Sequence, residues 1–86
     1  MHKIILKKPA KRFLKKLDKY EQKRIINKLK ELKQNPQLGK PLIGKLSGLW
    51  SLRVGKYRAL YQILENELII LILNIGHRKK IYDNIL

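Results

Sequence analysis

Leu49-Trp50-Ser51-Leu52-Arg53-Val54-Gly55-Lys56-Tyr57-Arg58-Ala59-Leu60-Tyr61-Gln62-Ile63-Leu64, followed by Glu65-Asn66-Glu67 and then by Leu68-Ile69-Ile70-Leu71-Ile72-Leu73-Asn74-Ile75-Gly76-His77-Arg78-Lys79-Lys80-Ile81-Tyr82, decides the fold. β-branched and aromatic residues dominate the stretch, and two turn signals interrupt it. Gly55-Lys56 can close a two-residue hairpin, with glycine supplying the positive φ of a primed turn, and Glu65-Asn66-Glu67 can close a second. The stretch therefore predicts three antiparallel strands ending in a basic tail.

A turn at Gly55-Lys56 pairs Val54 with Tyr57 and puts Arg53 directly across from Arg58. Like charges facing each other across a sheet are unfavourable on the ~0.2–1 kcal/mol scale of cross-strand pairs, so the arrangement calls for an anion. Phosphate fits, because the planar guanidinium engages two of its oxygens at once whereas a lysine offers only a point charge. Composition points the same way. Among 86 residues, 21 are Lys or Arg and 6 are Asp or Glu, a formal charge of +15. Such a surface implies a polyanionic partner, with nucleic acid first, an acidic protein second and an anionic membrane a distant third.

Upstream of the strands, Lys3 to Lys7 reads as a first strand and Pro9 as a residue of a first helical turn, where proline is tolerated. Ala10, Phe13, Leu14 and Leu17 then recur at helical spacing. Asp18-Lys19-Tyr20-Glu21 has the spacing of a capping box and restarts the chain as a second helix carrying Ile25, Ile26, Leu29 and Leu32, which Asn35-Pro36 ends. Residues 37–47 contain Gly39, Pro41 and Gly44 and read as a loop.

The order is one strand, a two-helix hairpin and a three-stranded meander, an α+β fold in one domain spanning 1–86 with the helices on one sheet face. On the strand from Tyr57 to Leu64, Tyr57, Ala59, Tyr61 and Ile63 share one face. Arg58, Leu60, Gln62 and Leu64 share the other with Ser51 and Arg53, and this more polar face is expected to be the open one. Register with the last strand stays undecided, since residues 68–75 are almost all apolar. Pairing Leu64 with Leu68 sets Arg58 opposite Asn74, and a slip of one residue sets Leu73 or Ile75 there. Either way, Gly76-His77-Arg78 emerges near Arg58.

Several classes are excluded or disfavoured. Without cysteine there is neither a disulfide framework nor a thiolate metal site, and two histidines far apart in sequence make no metal site, so none is expected. The most apolar run, residues 68–73, is far short of the ~18–20 residues that span a bilayer. The first residues lack the long apolar core of a secretory signal. A cytoplasmic protein is expected.

Gly48 to Ile63 and Ile75-Gly76-His77-Arg78-Lys79-Lys80-Ile81-Tyr82 resemble the RelE/ParE toxin superfamily of bacterial and archaeal toxin–antitoxin modules. Pro9-Ala10-Lys11-Arg12-Phe13 and the segment from Pro36 to Leu42 sit where that family has similar segments. The resemblance covers essentially the whole chain. It implies the activity of RelE-type members, which need no metal or other cofactor and cleave messenger RNA in the ribosomal A site. The messenger's 2′-hydroxyl attacks the adjacent phosphate, leaving a 2′,3′-cyclic phosphate and a free 5′-hydroxyl.

By position, Arg58 matches the arginine of the family's Tyr-Arg segment, Arg78 the arginine after the glycine, and Tyr82 the closing tyrosine; Arg53 aligns with a strand lysine. Arginines suit a transition state that gains negative charge. Arg58, Arg78, Arg53 and Tyr82 are the candidate catalytic residues, with Lys56 as auxiliary cation and His77 as the other candidate base. Two departures stand out: Ser51 occupies the position of another RelE lysine, and the segment from Arg78 to Tyr82 is shorter than in some RelE proteins. Lys40 and Lys45 in the loop, and Lys15 and Lys23 on the helices, are expected to bind nucleic acid, chiefly as a general electrostatic footprint. The implied partners are the ribosome with its message and an acidic RelB-like antitoxin. ParE-type members share the fold but inhibit DNA gyrase without cutting RNA, and that alternative stays open.

Overall fold

The computed structural model describes residues 1–78 and Ile81. A strand, β1 (Lys3–Leu6), leads into helices α1 (Lys8–Lys16) and α2 (Lys19–Leu32); then follow strands β2 (Lys40–Pro41), β3 (Trp50–Val54), β4 (Tyr57–Leu64) and β5 (Ile69–His77). The sheet is five-stranded in the order β1-β5-β4-β3-β2. β1 runs parallel to β5, and the other pairs are antiparallel. The α+β fold expected from the sequence holds, with one addition. Lys40 and Pro41, expected within a loop, pair with Ser51 and Trp50 as a short edge strand, a position that tolerates proline's missing N–H.

The helices form where their signals predict. Pro9 lies in the first turn of α1, and the Asp18 carboxylate caps α2 by accepting from the Glu21 N–H at 2.8 Å. Gln22 Nε2 donates to the Leu14 carbonyl at 2.8 Å, tying the end of α1 to the start of α2. Ala10, Leu14, Ile25, Leu29 and Leu32 pack on Leu52, Val54, Tyr57, Ala59, Tyr61, Ile70, Ile72 and Ile75. Ile26 departs from the expected stripe. It is 40% exposed, so the buried side of α2 is narrower than its apolar pattern. Among the described residues, no helix is long and apolar enough to cross a membrane.

The Gly55-Lys56 turn forms with Gly55 at φ 60°, and the expected pairs Val54–Tyr57 and Arg53–Arg58 are made. The β4–β5 register differs from either simple alternative. Leu68 is consumed by the turn, with φ 53°, so Leu64 pairs with Ile69. Leu73 is then an extra residue between the pairs Tyr61–Ile72 and Leu60–Asn74. This bulge exchanges the two faces of β5, because one inserted residue inverts a period-2 alternation. Ile70 and Ile72 face the helices before it, and Ile75 faces them after it. Asn74 Oδ1 accepts from the Ile75 N–H at 2.9 Å within the irregularity. As a result Gly76, rather than Asn74, Leu73 or Ile75, lies opposite Arg58.

Candidate active site

The face away from the helices carries the row Arg53–Arg58–Gly76, set by the β3–β4 and β4–β5 registers. Arg53 is exposed and Arg58 half-buried. Beside it runs the row Lys40–Ser51–Leu60–Asn74, so Lys40 shares the arginine face from the edge strand. This face is less open than its polarity suggests. Ser51 and Leu60 are buried, and Ile81 lies over Gly76, where a Cβ would meet the Ile81 side chain at 3.6 Å. Its exposed side chains include Arg53, at the corner near the β3–β4 turn, and Lys40, on the edge strand.

Among the described residues, the side-chain hydrogen bond that holds Arg58 at that corner runs from Nη1 to Ser51 Oγ, at 3.0 Å. Arg78 is brought in through its backbone, its N–H donating to the Lys56 carbonyl at 2.9 Å. The sheet end and the hairpin turn are thus tied together, and the convergence expected for Arg58 and Arg78 is realised in the backbone. Among the described residues, the ion pairs are His2–Glu65 and Lys28–Glu31, neither involving these arginines. No carboxylate of the described residues forms an ion pair with either member of the Arg53–Arg58 pair.

His77 and Lys56 are placed differently from Arg58. His77 pairs with Tyr57, whose ring belongs to the helix-side core. Its imidazole packs against Tyr57 and Phe13, with ring centroids 5.3 and 5.8 Å away. Lys56 Nζ stands 5.5 Å from the centroid of the Tyr57 ring, a cation–π contact. Tyr82 lies outside the described residues. Lys15, Lys23 and Lys45 are all exposed, on α1, on α2 and in the loop after β2 respectively. Among the described residues, no group of three or more metal-ligating side chains gathers.

Two residues near the site were not assigned roles from the sequence. Ser51 was readable, because the hairpin register sets it diagonally across from Arg58 on the same face. Arg24 was not, since its guanidinium reaches from α2 to the hairpin turn and only tertiary packing brings it there. A Cβ on Gly55 would lie 2.8 Å from Arg24 Nη2, so glycine serves both the positive φ and the close approach. An open cleft of about 620 Å³ runs from Leu49 past Asn74 and Gly76 to Arg12 and Phe13 on α1.

The sequence and fold both have known counterparts. Residues 4–82 match the family model described as the ParE toxin of the type II toxin–antitoxin system parDE. Over 53 residues, 60% of this chain, the sequence is 42% identical to toxin RelG of Mycobacterium tuberculosis, the match spanning 61% of that protein. The crystal structure of the RelBE2 toxin–antitoxin complex from M. tuberculosis contains a chain 32% identical, with a TM-score of 0.82 over 90% of this chain and 98% of that one. The isolated Escherichia coli RelE toxin shares the fold with a TM-score of 0.77 at 16% identity, covering 99% of this chain and 95% of that one. With a family model spanning nearly its whole length and a solved relative sharing both sequence and fold, the chain belongs to the RelE/ParE superfamily of type II toxin–antitoxin toxins.

Proposed function

We propose that this toxin is a ribosome-dependent endoribonuclease that cuts messenger RNA in the A site. The observation that carries the reading is the cross-strand pair Arg53–Arg58, two cations on one face without a carboxylate partner among the described residues. In the reaction, the 2′-oxygen forms a bond to the adjacent phosphorus while the bond from phosphorus to the 5′-oxygen breaks. The 2′-hydroxyl loses its proton to a base, and the departing 5′-oxygen gains one. Arg58 and Arg78 stabilise the charge that builds on the phosphate, and Arg53 assists. Tyr82 is the proposed base. His77 suits packing better, its ring being engaged with Phe13 and Tyr57. Lys40 and Lys45 contact the nucleic acid beside the site, and an acidic antitoxin neutralises the same basic surface in the resting module.

The description of the matching family model favours a second reading, a gyrase-directed toxin that binds without cutting RNA. Primer extension on messages from cells expressing the chain separates the two. Discrete cuts within translated regions are expected. Intact messages accompanied by DNA damage would replace the first reading with the second.

A further inference from the structure

We propose that Ser51 is a positioning residue for Arg58, its buried hydroxyl holding the guanidinium where it can grip a phosphate. The inference rests on the proposed phosphate chemistry of Arg58 and adds a residue to it. Ser51 is 3% exposed, and its Oγ accepts from Arg58 Nη1 at 3.0 Å. Arg58 lies directly opposite Arg53, while Ser51 lies opposite Leu60, two residues farther from the turn. The bond therefore draws the Arg58 head group along the sheet and away from the like charge it faces. An acceptor shielded from water holds a cationic donor more firmly than an exposed one.

A neutral hydroxyl suits this task better than a carboxylate. It orders the guanidinium without neutralising it, and among the described residues it engages one of the five N–H donors of arginine, so an anion can take others. Lysine, which RelE-type sequences are expected to carry at this position, would supply a third positive charge and no acceptor. In this chain the position therefore contributes order rather than charge.

The test measures single-turnover cleavage on programmed ribosomes and, separately, the binding of inorganic phosphate followed at the Arg58 Nε–Hε nuclear magnetic resonance signal, assigned with Arg58→Lys. Ser51→Ala is expected to lower the cleavage rate about tenfold at unchanged KM and to weaken phosphate binding severalfold, the scale of a hydrogen bond to a charged group. Ser51→Thr, which keeps the acceptor, should restore both. In an Arg58→Ala background, Ser51→Ala should add nothing to the loss of cleavage. Wild-type cleavage and phosphate affinity in Ser51→Ala would overturn the proposal, as would a cleavage defect that persists in full without Arg58. The phosphate measurement separates this proposal from the proposed function: Ser51-dependent binding by a protein that cuts no message would remove the nuclease reading and leave the positioning role standing. Phosphate binding indifferent to Ser51 would remove the positioning role whatever the cleavage assay gives.

Discussion

Tyr61 and Arg58 lie three residues apart on β4 and point to opposite faces of the sheet, and the two sides treat a polar group in opposite ways. Tyr61 is fully buried. Its hydroxyl donates to the Pro36 carbonyl at 2.8 Å and accepts from the Gly39 N–H at 3.0 Å, and its ring stacks on Trp50 at 6.2 Å. Arg58 pairs with another arginine and, among the described residues, donates to one neutral acceptor. Pairing polar groups matters where the core is built, since each buried polar atom left unpaired costs about 1–3 kcal/mol. Charge can stay unbalanced at a solvent-facing corner, and the imbalance there is what an anion would answer.

The largest expected effect of breaking this contrast is kinetic. Arg58→Ala should slow single-turnover cleavage on programmed ribosomes by about 10²–10³, corresponding to roughly 2.7–4 kcal/mol for one electrostatic stabiliser. Thermal stability should hardly change, because the substitution also removes a like-charge contact. Cleavage at the wild-type rate would move the reacting phosphate away from this corner.

On the other face the effects are structural. Gly39→Ala would put a Cβ 2.5 Å from the Ser51 carbonyl oxygen and 2.8 Å from the Tyr61 hydroxyl. The forced shift should cost about 1–3 kcal/mol, read as a lower denaturant midpoint at unchanged slope. An unchanged midpoint would show that the loop yields freely.

Tyr61→Phe should cost somewhat less, ~1–2 kcal/mol, by stranding the Gly39 N–H and the Pro36 carbonyl. It also carries a signature in pH. Burial raises the pKa of the Tyr61 phenol above its usual 10.0, and the Gly39 N–H offsets part of that rise. As pH rises past 10, the unfolded chain releases this proton before the folded chain does. The contribution is thus complete below the unfolded pKa and is lost as pH climbs through the folded one. Wild-type stability should fall in that alkaline window, and Tyr61→Phe should fall less steeply. Equal slopes would place the alkaline sensitivity elsewhere.

The sequence made legible what depends on local pattern. The Gly55 turn alone determined the Arg53–Arg58 pair, and Asp18 marked the start of α2. It left open what depends on counting through an apolar run. Residues 69–73 are all apolar, so no alternation revealed that Leu68 belongs to the turn or that Leu73 is bulged, yet together these set Gly76 opposite Arg58. Arg24 at the hairpin turn was hidden for a different reason: its contact joins α2 to β3 and β4 across the fold, and no local spacing encodes it. The placement of His77 against Phe13 and Tyr57 depended on the same unreadable bulge.

The smallest expected effects sharpen the contrast by distance. Lys15 and Lys23 are exposed on α1 and α2, whose buried sides cover the sheet face opposite the arginine pair. If they hold nucleic acid only as part of a diffuse electrostatic footprint, each contributes through counterion release rather than at the reacting phosphate. Lys15→Ala or Lys23→Ala should then weaken ribosome association modestly and reduce the slope of log affinity against log salt by about 0.9 for each phosphate no longer neutralised. The single-turnover rate on saturated complexes should stay at the wild-type value. Arg58→Ala is expected to give the reverse pattern, with slow chemistry and nearly unchanged association. Salt titrations of ribosome binding, run beside saturated single-turnover assays, read both quantities. A rate defect in Lys15→Ala or Lys23→Ala at saturation would mean that the helical surface reaches the transition state, and the functional division between the two faces of the sheet would fail.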